Sequence, residues 1–406
     1  MTKRTIAIVG AGRAGVYIAK KLAYELRKTE HEILLFNDAS DDMTLQSVFP
    51  QIAVKTVPIE SAQYNLHRLF RKNQNVKIIN KRVTDLNFDT NTLITKDQVY
   101  YYDDLVLTTG SMGSTMGIPG VYENATVFNS FAGALQVRHD LEAFLTAREH
   151  GEDPTLNLTV VGGGPSGVEL MGELASFKAN QKISDDRMTL TLVNSDTNLL
   201  TSLSLPDLSI KVKKFLTDRG VTVLNNHSVI SLNQNFLTLI DGSQIPVQKV
   251  YWATGLQSHP MVNDWGIAIS DSGQVTVNKE FQVLSDFGEP LEDVYASGNI
   301  ATFERGQNEI LPQLALASAY AGKIISQQIV YKLGLTKQNK AVKAQKRPRY
   351  FISLGKNSGV SNAYGQNGSI GPFARWAKHV INLAFFAEIR SGYGFWHYLR
   401  YGLPSK

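Results

Sequence analysis

The segment 10–15 reads GAGRAG and stands between a short apolar run and a stretch with helical periodicity. In this GxGxxG arrangement the first glycine permits a tight turn, the second lets the backbone approach a pyrophosphate, and the third lets helix and strand pack closely. The phosphate is then held by the free N–H groups and the positive dipole end of the helix. The pattern predicts a βαβ unit that binds a dinucleotide through Gly10, Gly12, Arg13, Ala14 and Gly15.

The same pattern recurs at 162–167, where GGGPSG again separates a β-branched run from a helical stretch. Strand patterns follow each copy and end in Thr-Gly both times, at Thr109-Gly110 and Thr254-Gly255. This repeated order predicts an α/β fold with two Rossmann-like dinucleotide-binding domains. The residues expected to hold the second pyrophosphate are Gly162, Gly164, Pro165, Ser166 and Gly167.

We expect one nucleotide-binding domain to be inserted into the other. We expect the first domain to comprise residues 1–125 and 270–335, and the inserted domain to comprise 126–269. Residues 336–406 begin with a basic stretch, continue with many glycines and aromatic residues, and are expected to form a small C-terminal region. A chain of 406 residues is long enough for such a division, because single cores rarely exceed about 250–300 residues.

The positions that normally bind ribose carry unusual residues. An acid at the end of the second strand of such a unit ordinarily binds the ribose hydroxyls. Here these positions hold Asn37 and Asn194, with Asp38 and Asp196 slightly downstream. An amide can still hydrogen-bond a hydroxyl, although without charge assistance. No Lys or Arg follows Asn194 closely enough to bind a 2′-phosphate, so NADH is favoured and NADPH stays open.

The charge of the chain is distributed unevenly. From residue 311 onward there are 14 basic residues and one acid, whereas the rest has 27 basic and 35 acidic residues. A basic tail on an acidic body indicates an anionic partner surface, and no nucleic-acid-binding module accompanies the charge. We therefore expect a membrane surface rather than nucleic acid. Without a signal peptide or an apolar run of roughly 18–20 residues, peripheral attachment to the cytoplasmic face of the cell membrane is expected.

The segment 373–387 has the pattern of an amphipathic helix. Trp376 and Val380 fall on its apolar face, and Arg375 and Lys378 fall on the opposite face. Basic and aromatic side chains together suit the headgroup region of a membrane. A helix packed on the body, or a dimer interface, is the alternative, and a homodimer is expected.

Several motifs together carry a resemblance to a known family. The two glycine loops, the Thr-Gly strand ends, GIPG and YASGNIA resemble the two-dinucleotide flavin reductase superfamily. GGGPSGVELMGEL at 162–174 and LPQLALASAYAGK at 311–323 are most similar to type II NADH:quinone oxidoreductases, over essentially the whole chain. The resemblance implies FAD in the first domain, NADH in the inserted domain and a membrane quinone as acceptor. The lack of cysteine fits, since that family passes electrons from flavin directly to quinone.

The resemblance also implies roles for individual residues. Glu169 is implied to position the nicotinamide, and Gln313 and Tyr320 lie where the family places the border of the quinone pocket. Asn299 replaces the family's Asp that hydrogen-bonds the flavin's ribityl chain. The remaining residues expected to contact the two nucleotides are Asn37, Asp38, Val83, Thr109, Gly110, Asn194, Thr254, Gly255 and Gly298. No metal site is expected.

Departures from the family pattern keep two alternatives open. Three positions carry Asn in place of an acid, and the family's glutamines near residue 316 are replaced by Leu316, Tyr320 and Ala321. One alternative is a degenerate, non-catalytic nucleotide-binding protein that acts as a regulator at the membrane. The other is a flavoenzyme with a soluble electron acceptor.

Overall fold

The structure is a computed structural model that describes residues 3–38, 40–203, 206–271, 273–302, 304–305, 309–310, 315–337, 350–362 and 368–404. Its α-helices are, in chain order, α1 (Arg13–Glu25), α2 (Phe49–Ala53), α3 (Leu66–Phe70), α4 (Val121–Asn124), α5 (Phe131–Glu149), α6 (Pro165–Asn180), α7 (Pro206–Thr217), α8 (Ala315–Lys332), α9 (Pro372–Glu388) and α10 (Gly392–Tyr401).

A six-stranded sheet forms the centre of the first domain. Its strands, in spatial order, are Gln282–Leu284, Pro290–Ala296, Asp104–Leu107, Thr5–Val9, Glu32–Phe36 and Val76–Ile79. Neighbouring strands are parallel except for the antiparallel first pair. The strands read as apolar runs because a parallel sheet is covered on both faces, and Ile6 and Ile8 are fully buried. Distant parts of the chain therefore complete one sheet.

A second sheet, of five parallel strands, is built from the intervening sequence. Its strands, in spatial order, are Thr126–Val127, Lys249–Trp252, Leu156–Val161, Met188–Val193 and Val221–Leu224. Each sheet is accompanied by a three-stranded antiparallel meander, formed by Val83–Asn87, Thr92–Thr95 and Val99–Tyr101 in one case and by Val229–Leu232, Phe236–Leu239 and Gln244–Pro246 in the other. The predicted α/β fold with two Rossmann-like units is confirmed.

A short ribbon joins the two domains at the ends of their Thr-Gly strands. Met112–Gly113 pairs antiparallel with Leu256–Gln257. Next to this pair, the carbonyl oxygen of Ser114 accepts a hydrogen bond of 2.9 Å from the indole N–H of Trp252. Both segments follow the carboxyl ends of sheet strands, where α/β proteins place their ligands. The ribbon therefore holds the two ligand-bearing edges next to each other.

The C-terminal region is a small α+β unit packed on the body. It contains an antiparallel sheet of Phe351–Ser353, Gly359–Ser361 and Ser369–Gly371, followed by α9 and α10. The polar face of α9 is turned inward, so that Arg375 and Asn382 are buried while Trp376 is 64% exposed. The polar face of α9 therefore packs on the body, as in the alternative prediction of a packed helix. Within the described residues, every helix is too short or too polar to cross a membrane.

Candidate functional site

The first glycine loop forms a cradle at the N-terminus of α1. Gly10 has φ +104°, and a Cβ there would lie 2.4 Å from the carbonyl oxygen of Thr108. A Cβ on Gly15 would lie 1.9 Å from the carbonyl oxygen of Gly10. At Gly12, by contrast, a Cβ would meet nothing within 4 Å, and no side chain caps the helix. The first turn of α1 therefore faces open space that suits a pyrophosphate.

The second glycine loop repeats this arrangement at α6. Gly162 has φ +122°, and a Cβ there would lie 2.8 Å from the carbonyl oxygen of Ala253. A Cβ on Gly167 would lie 1.9 Å from the oxygen of Gly162, whereas one on Gly164 would meet nothing within 4 Å. Pro165 begins α6, where its missing N–H removes no helical hydrogen bond. In both loops the first and last glycines of the pattern are thus fixed by packing, and the middle one faces free space. The second loop has a further packed glycine, Gly163, where a Cβ would lie 2.4 Å from Oδ1 of Asn194.

Asn37 and Asn194 occupy equivalent positions after the second strand of each unit. The amide nitrogen of Asn37 donates to the carbonyl oxygen of Ser40 at 2.7 Å. That of Asn194 donates to the carbonyl oxygen of Asp196 at 2.9 Å. A carboxylate has no N–H and could not make these bonds. Each asparagine therefore fixes the loop that follows its strand, a role that differs from the one predicted for an acid at this position.

Other predicted residues lie around the first cradle. Gly298 has φ +86°, and a Cβ there would lie 3.3 Å from the Cβ of Ala14, so the Gly298-Asn299 turn lies against the first turn of α1. Thr109-Gly110 follows the strand next to Thr5–Val9. The structure brings these segments to one edge of the first sheet.

Asp38 and Val83 lie farther along the same side of the domain. Asp38 is exposed and forms an ion pair of 3.7 Å with Arg82, and Val83 is buried at the start of the adjacent meander. In the second domain the hydroxyl of Thr254 donates to the carbonyl oxygen of Ser114 at 3.3 Å, and Gly255 precedes the ribbon strand. Thr254 and Gly255 are thus placed between the two domains.

Glu169, on the second turn of α6, contacts the C-terminal region. Its Oε1 accepts hydrogen bonds from the backbone N–H of Ser353 at 2.7 Å and from Nζ of Lys378 at 2.6 Å. The side chains of Glu169 and Lys378 are 14% and 12% exposed, so solvent screens this ion pair only weakly. The carboxylate therefore has a charged partner on α9 that the sequence analysis did not assign.

Glu173, one turn further along α6, is buried in the same contact. It accepts hydrogen bonds from Oγ of Ser353 at 2.6 Å and from Nε2 of Gln51 at 3.2 Å, with Arg375 at 3.7 Å. Burial raises the pKa of Glu173, although the positive charge of Arg375 opposes the shift. Glu173 joins three parts of the chain: α2, α6 and the C-terminal region.

The side chain of Arg13 is directed away from the first cradle and toward α9. Its Nη1 donates to Oδ1 of Asn382 at 2.8 Å, and its guanidinium lies 4.5 Å from the centroid of the Phe385 ring. Burial lowers the pKa of Arg13 to about 10. Asn382 in turn donates to the hydroxyl of Tyr398 on α10 at 3.0 Å. Arg13 can therefore contribute only its main chain to the cradle, and its side chain holds the C-terminal helices in place.

Gln313 and Tyr320 are the residues predicted to border a quinone pocket. Gln313 lies outside the described residues. Tyr320, on α8, packs edge-on against Phe281 with ring centroids 6.1 Å apart. Arg375 and Lys378, the partners of Glu173 and Glu169, were not predicted as such. The sequence does contain a signal for them, because their spacing places both on one face of the predicted helix. The sequence alone did not show that this face is turned inward.

Taken together, the geometry defines an α/β protein with two dinucleotide cradles whose domains are joined by a ribbon. A family model for pyridine nucleotide-disulphide oxidoreductases matches residues 4–322. The chain therefore belongs to the pyridine nucleotide-disulphide oxidoreductase family.

Similar proteins extend this comparison over the whole chain. The type II NADH:quinone oxidoreductase of Haemophilus influenzae is 24% identical over 417 residues, which cover 92% of this chain and 91% of the relative. The structure of NDH2 from Plasmodium falciparum in complex with NADH has a TM-score of 0.80 at 16% identity, covering 99% of both chains. The sulfide:quinone oxidoreductase of Aquifex aeolicus gives 0.79 at 16% identity, covering 96% of this chain and 92% of that one. The relatives agree with the family resemblance seen in the sequence, and the solved structures share the fold.

Proposed function

We propose that the protein is a FAD-dependent dehydrogenase that oxidises NADH and passes two electrons to a membrane quinone. The observation that carries the proposal is the duplicated cradle: α1 and α6 are each preceded by a glycine, Gly12 or Gly164, that faces open space. The donor and acceptor are supported by the Haemophilus influenzae relative, whose name is type II NADH:quinone oxidoreductase.

The residues present fit both nucleotides. We assign the FAD pyrophosphate to the N-terminus of α1, with Gly298-Asn299 and Thr109-Gly110 beside it, and the NADH pyrophosphate to the N-terminus of α6. The side-chain oxygen of Asn37 or Asn194 is left to accept a hydrogen bond from a ribose hydroxyl, while the amide nitrogen fixes the loop. Bound flavin supplies the redox chemistry, and the chain supplies binding, orientation and electrostatics.

Glu169 is the side chain that we assign to the reaction. It lies on the second turn of α6, just beyond the second cradle, and is charge-paired with Lys378, so its position is fixed from both α6 and α9. In this proposal the carboxylate of Glu169 orients the nicotinamide end of NADH and influences the delivery of a proton to the acceptor. Gln313 and Tyr320 are proposed to border the quinone.

Membrane attachment is the second part of the proposal. Trp376 and Val380 are exposed on the outward face of α9, in a part of the chain with a large excess of basic residues. Exposed apolar and aromatic side chains on one face of a helix suit the interface of a membrane. We assign the protein to the cytoplasmic face of the cell membrane as a peripheral enzyme, and a homodimer stays a prediction to be tested by light scattering.

A pair of glycine variants tests the proposed function. Gly12 and Gly164 both have φ near −74° and empty space at Cβ, so Gly12→Val and Gly164→Val should fold without backbone strain. We expect Gly12→Val to be purified without yellow flavin. We expect Gly164→Val to keep its flavin but to show no bleaching of the flavin band with NADH.

The wild-type protein is the reference for these spectra. It should be yellow and bleach when NADH is added, and the apoprotein serves as the stability control because bound FAD itself raises the melting temperature. Colourless wild-type protein that resists reconstitution with FAD would favour the degenerate, non-catalytic alternative. Equal turnover with a membrane quinone and with a water-soluble dye, with and without membranes, would favour the soluble acceptor.

A further inference from the structure

A large basic cleft lies between the first domain and α10, away from both cradles. Its volume is about 1380 Å³, and its walls come from α1, α3, the turns that follow them, and the segment 389–401. Eight Lys and Arg residues line it, against two acids, Glu30 and Glu32. We call this feature the basic cleft. The proposed NADH and quinone chemistry uses none of its residues.

Three arginines of the basic cleft are held on aromatic rings rather than by carboxylates. The guanidinium groups of Arg27 and Arg390 lie 4.0 and 3.6 Å from the centroid of the Tyr24 ring. Arg68 lies 4.5 Å from the centroid of the Tyr393 ring. Among the described residues, no carboxylate comes within 4.0 Å of these three. Arg27 also donates one N–H to the carbonyl oxygen of Tyr24, and Arg390 hydrogen-bonds the hydroxyl of Tyr24. Stacking on a ring orders a guanidinium, and its remaining N–H groups can bind an anion.

Lys20 is a further cation of the basic cleft that neither of the two lining acids neutralises. It is 8% exposed, and its Nζ donates to the carbonyl oxygen of Leu69 and, at 2.8 Å, to Oδ1 of Asn73. Within the described part of the chain it has no ion pair with an acid, and burial lowers its pKa to about 8. A buried cation without a counter-ion is unfavourable, and an anion in the cleft would relieve this.

We propose that the basic cleft binds the phosphate groups of anionic phospholipids when the protein lies on a membrane. This inference rests on the membrane association in the proposed function and names the lipid group that is recognised. Arginines bind phosphate oxygens through paired N–H donors, and the cleft is much larger than one phosphate ion.

The choice of a lipid over a soluble phosphate comes from the wall formed by α10. Trp396 lines the cleft and is 69% exposed, and Leu403, two residues after the end of α10, is exposed as well. Tryptophan prefers the level of the lipid headgroups, where its ring is half in water and half in lipid. The basic side chains beside it would then lie at the level of the phosphates.

Binding of the holoprotein to vesicles tests the proposal. We expect it to co-sediment with vesicles of phosphatidylcholine and phosphatidylglycerol, and much less with pure phosphatidylcholine. Arg68→Gln with Arg71→Gln removes two exposed charges from the cleft. Each basic residue near an anionic surface contributes about 1 kcal/mol, so this double variant should bind roughly tenfold or more weakly.

The matched control is Lys211→Gln with Lys213→Gln, which removes the same charge from exposed positions of α7 outside the cleft. It should bind the anionic vesicles within about twofold of the wild type. Equal losses in both double variants would mean that only the net charge matters, and the proposal would be wrong. The absence of any preference for phosphatidylglycerol vesicles would also overturn it.

A competition arm separates lipid from soluble phosphate. Millimolar glycerol 3-phosphate at constant ionic strength should leave vesicle binding nearly unchanged. If it instead displaces the protein from the vesicles, the cleft is a site for a soluble phosphate ester and the lipid assignment fails.

Bleaching of the flavin by NADH without vesicles should be the same in both double variants and the wild type. Failure of that reaction in all three would count against the proposed function and not against the cleft.

Discussion

Single residues explain why the two loops can be cradles. The outer glycines of each loop are fixed by contact with backbone, because a Cβ on Gly15 or Gly167 would lie 1.9 Å from a carbonyl oxygen. The middle glycines, Gly12 and Gly164, have no such neighbour. Packing therefore explains the outer glycines, and Gly163 as well, because a Cβ there would meet the side chain of Asn194. The open space at Gly12 and Gly164 indicates a ligand.

Glu169→Gln tests the residue that we assign to the reaction. Its hydrogen bond with Lys378 is charge-assisted, and such a bond contributes about 1.5–3 kcal/mol. If this energy positions the reacting groups, kcat/KM for NADH should fall about ten- to a hundredfold, with flavin content unchanged. Steady-state kinetics and the flavin spectrum measure both quantities.

The control for this variant is Glu149→Gln, at the exposed end of α5. It makes the same chemical change without a described ion pair, and it should keep wild-type kinetics. A Glu169→Gln enzyme with unchanged kcat/KM would show that the Glu169–Lys378 pair only holds the C-terminal region in place.

The sequence predicted which residues occur at the nucleotide sites better than it predicted what their side chains contact. The glycine pattern is local, so the loops could be predicted from spacing alone. Asn37 and Asn194 stand where an acid ordinarily binds ribose, whereas in the structure their amide groups donate to the loop that follows. Arg13 was grouped with the cradle, whereas its side chain reaches α9, 369 residues away in sequence. Contacts over such separations leave no local pattern.

At the scale of elements, the amphipathic pattern of α9 correctly predicted a helix with two different faces. The pattern did not indicate which face is turned toward the body. The periodicity separated Arg375 and Lys378 from Trp376 and Val380 without stating which face is buried. The polar face is buried because it meets partners on the body: Lys378 pairs with Glu169, and Arg375 lies beside Glu173. Basic residues on the inner face of α9 therefore stabilise the docking of the helix.

The contact of α9 with α10 should make stability depend on pH through His379. Its Nδ1 lies 2.8 Å from the hydroxyl of Tyr398, and burial, with the nearby charges of Arg375 and Lys378, lowers its pKa to about 4. Between this value and its ordinary value of 6.5, the unfolded chain binds a proton that the folded chain does not. The stability that His379 contributes is therefore present above pH 6.5 and is lost as the pH falls toward 4.

Urea unfolding of the wild type and of His379→Gln at several pH values measures this effect. The difference between the two proteins should change by about 2 kcal/mol between pH 7 and pH 5, with the wild type losing more stability. Other titrating groups affect both proteins equally and cancel in the difference. Parallel pH profiles would mean that His379 is protonated in the folded protein as readily as in the unfolded one.

At the scale of the whole molecule, the repeated motif pattern predicted a duplication. The expected order was the first part of one domain, the inserted domain, and then the rest of the first domain. The described strands follow that order, since the second sheet uses residues between 126 and 252 and the first sheet resumes at 282. The ribbon of Met112–Gly113 and Leu256–Gln257 was not predicted, because each partner has only two residues and lacks strand periodicity. The exact domain boundaries stay a prediction.

The division of the molecule into an acidic body and a basic C-terminal region suggests that electron transfer to quinone can be separated from oxidation of NADH. The outward apolar residues of α9 make none of the described contacts that hold Glu169 or Arg13. Trp376→Ser with Val380→Ser should therefore keep NADH oxidation with a water-soluble dye, because the inward face of α9 is intact. With quinone in vesicles its turnover should fall severalfold, since burying each apolar side chain in the interface contributes about 1–3 kcal/mol of membrane affinity.

The control removes two exposed apolar residues from the body, Ile240→Ser with Phe287→Ser, and should behave as the wild type with both acceptors. Equal loss with dye and with quinone would place α9 in the catalytic step itself and contradict its role as a membrane contact.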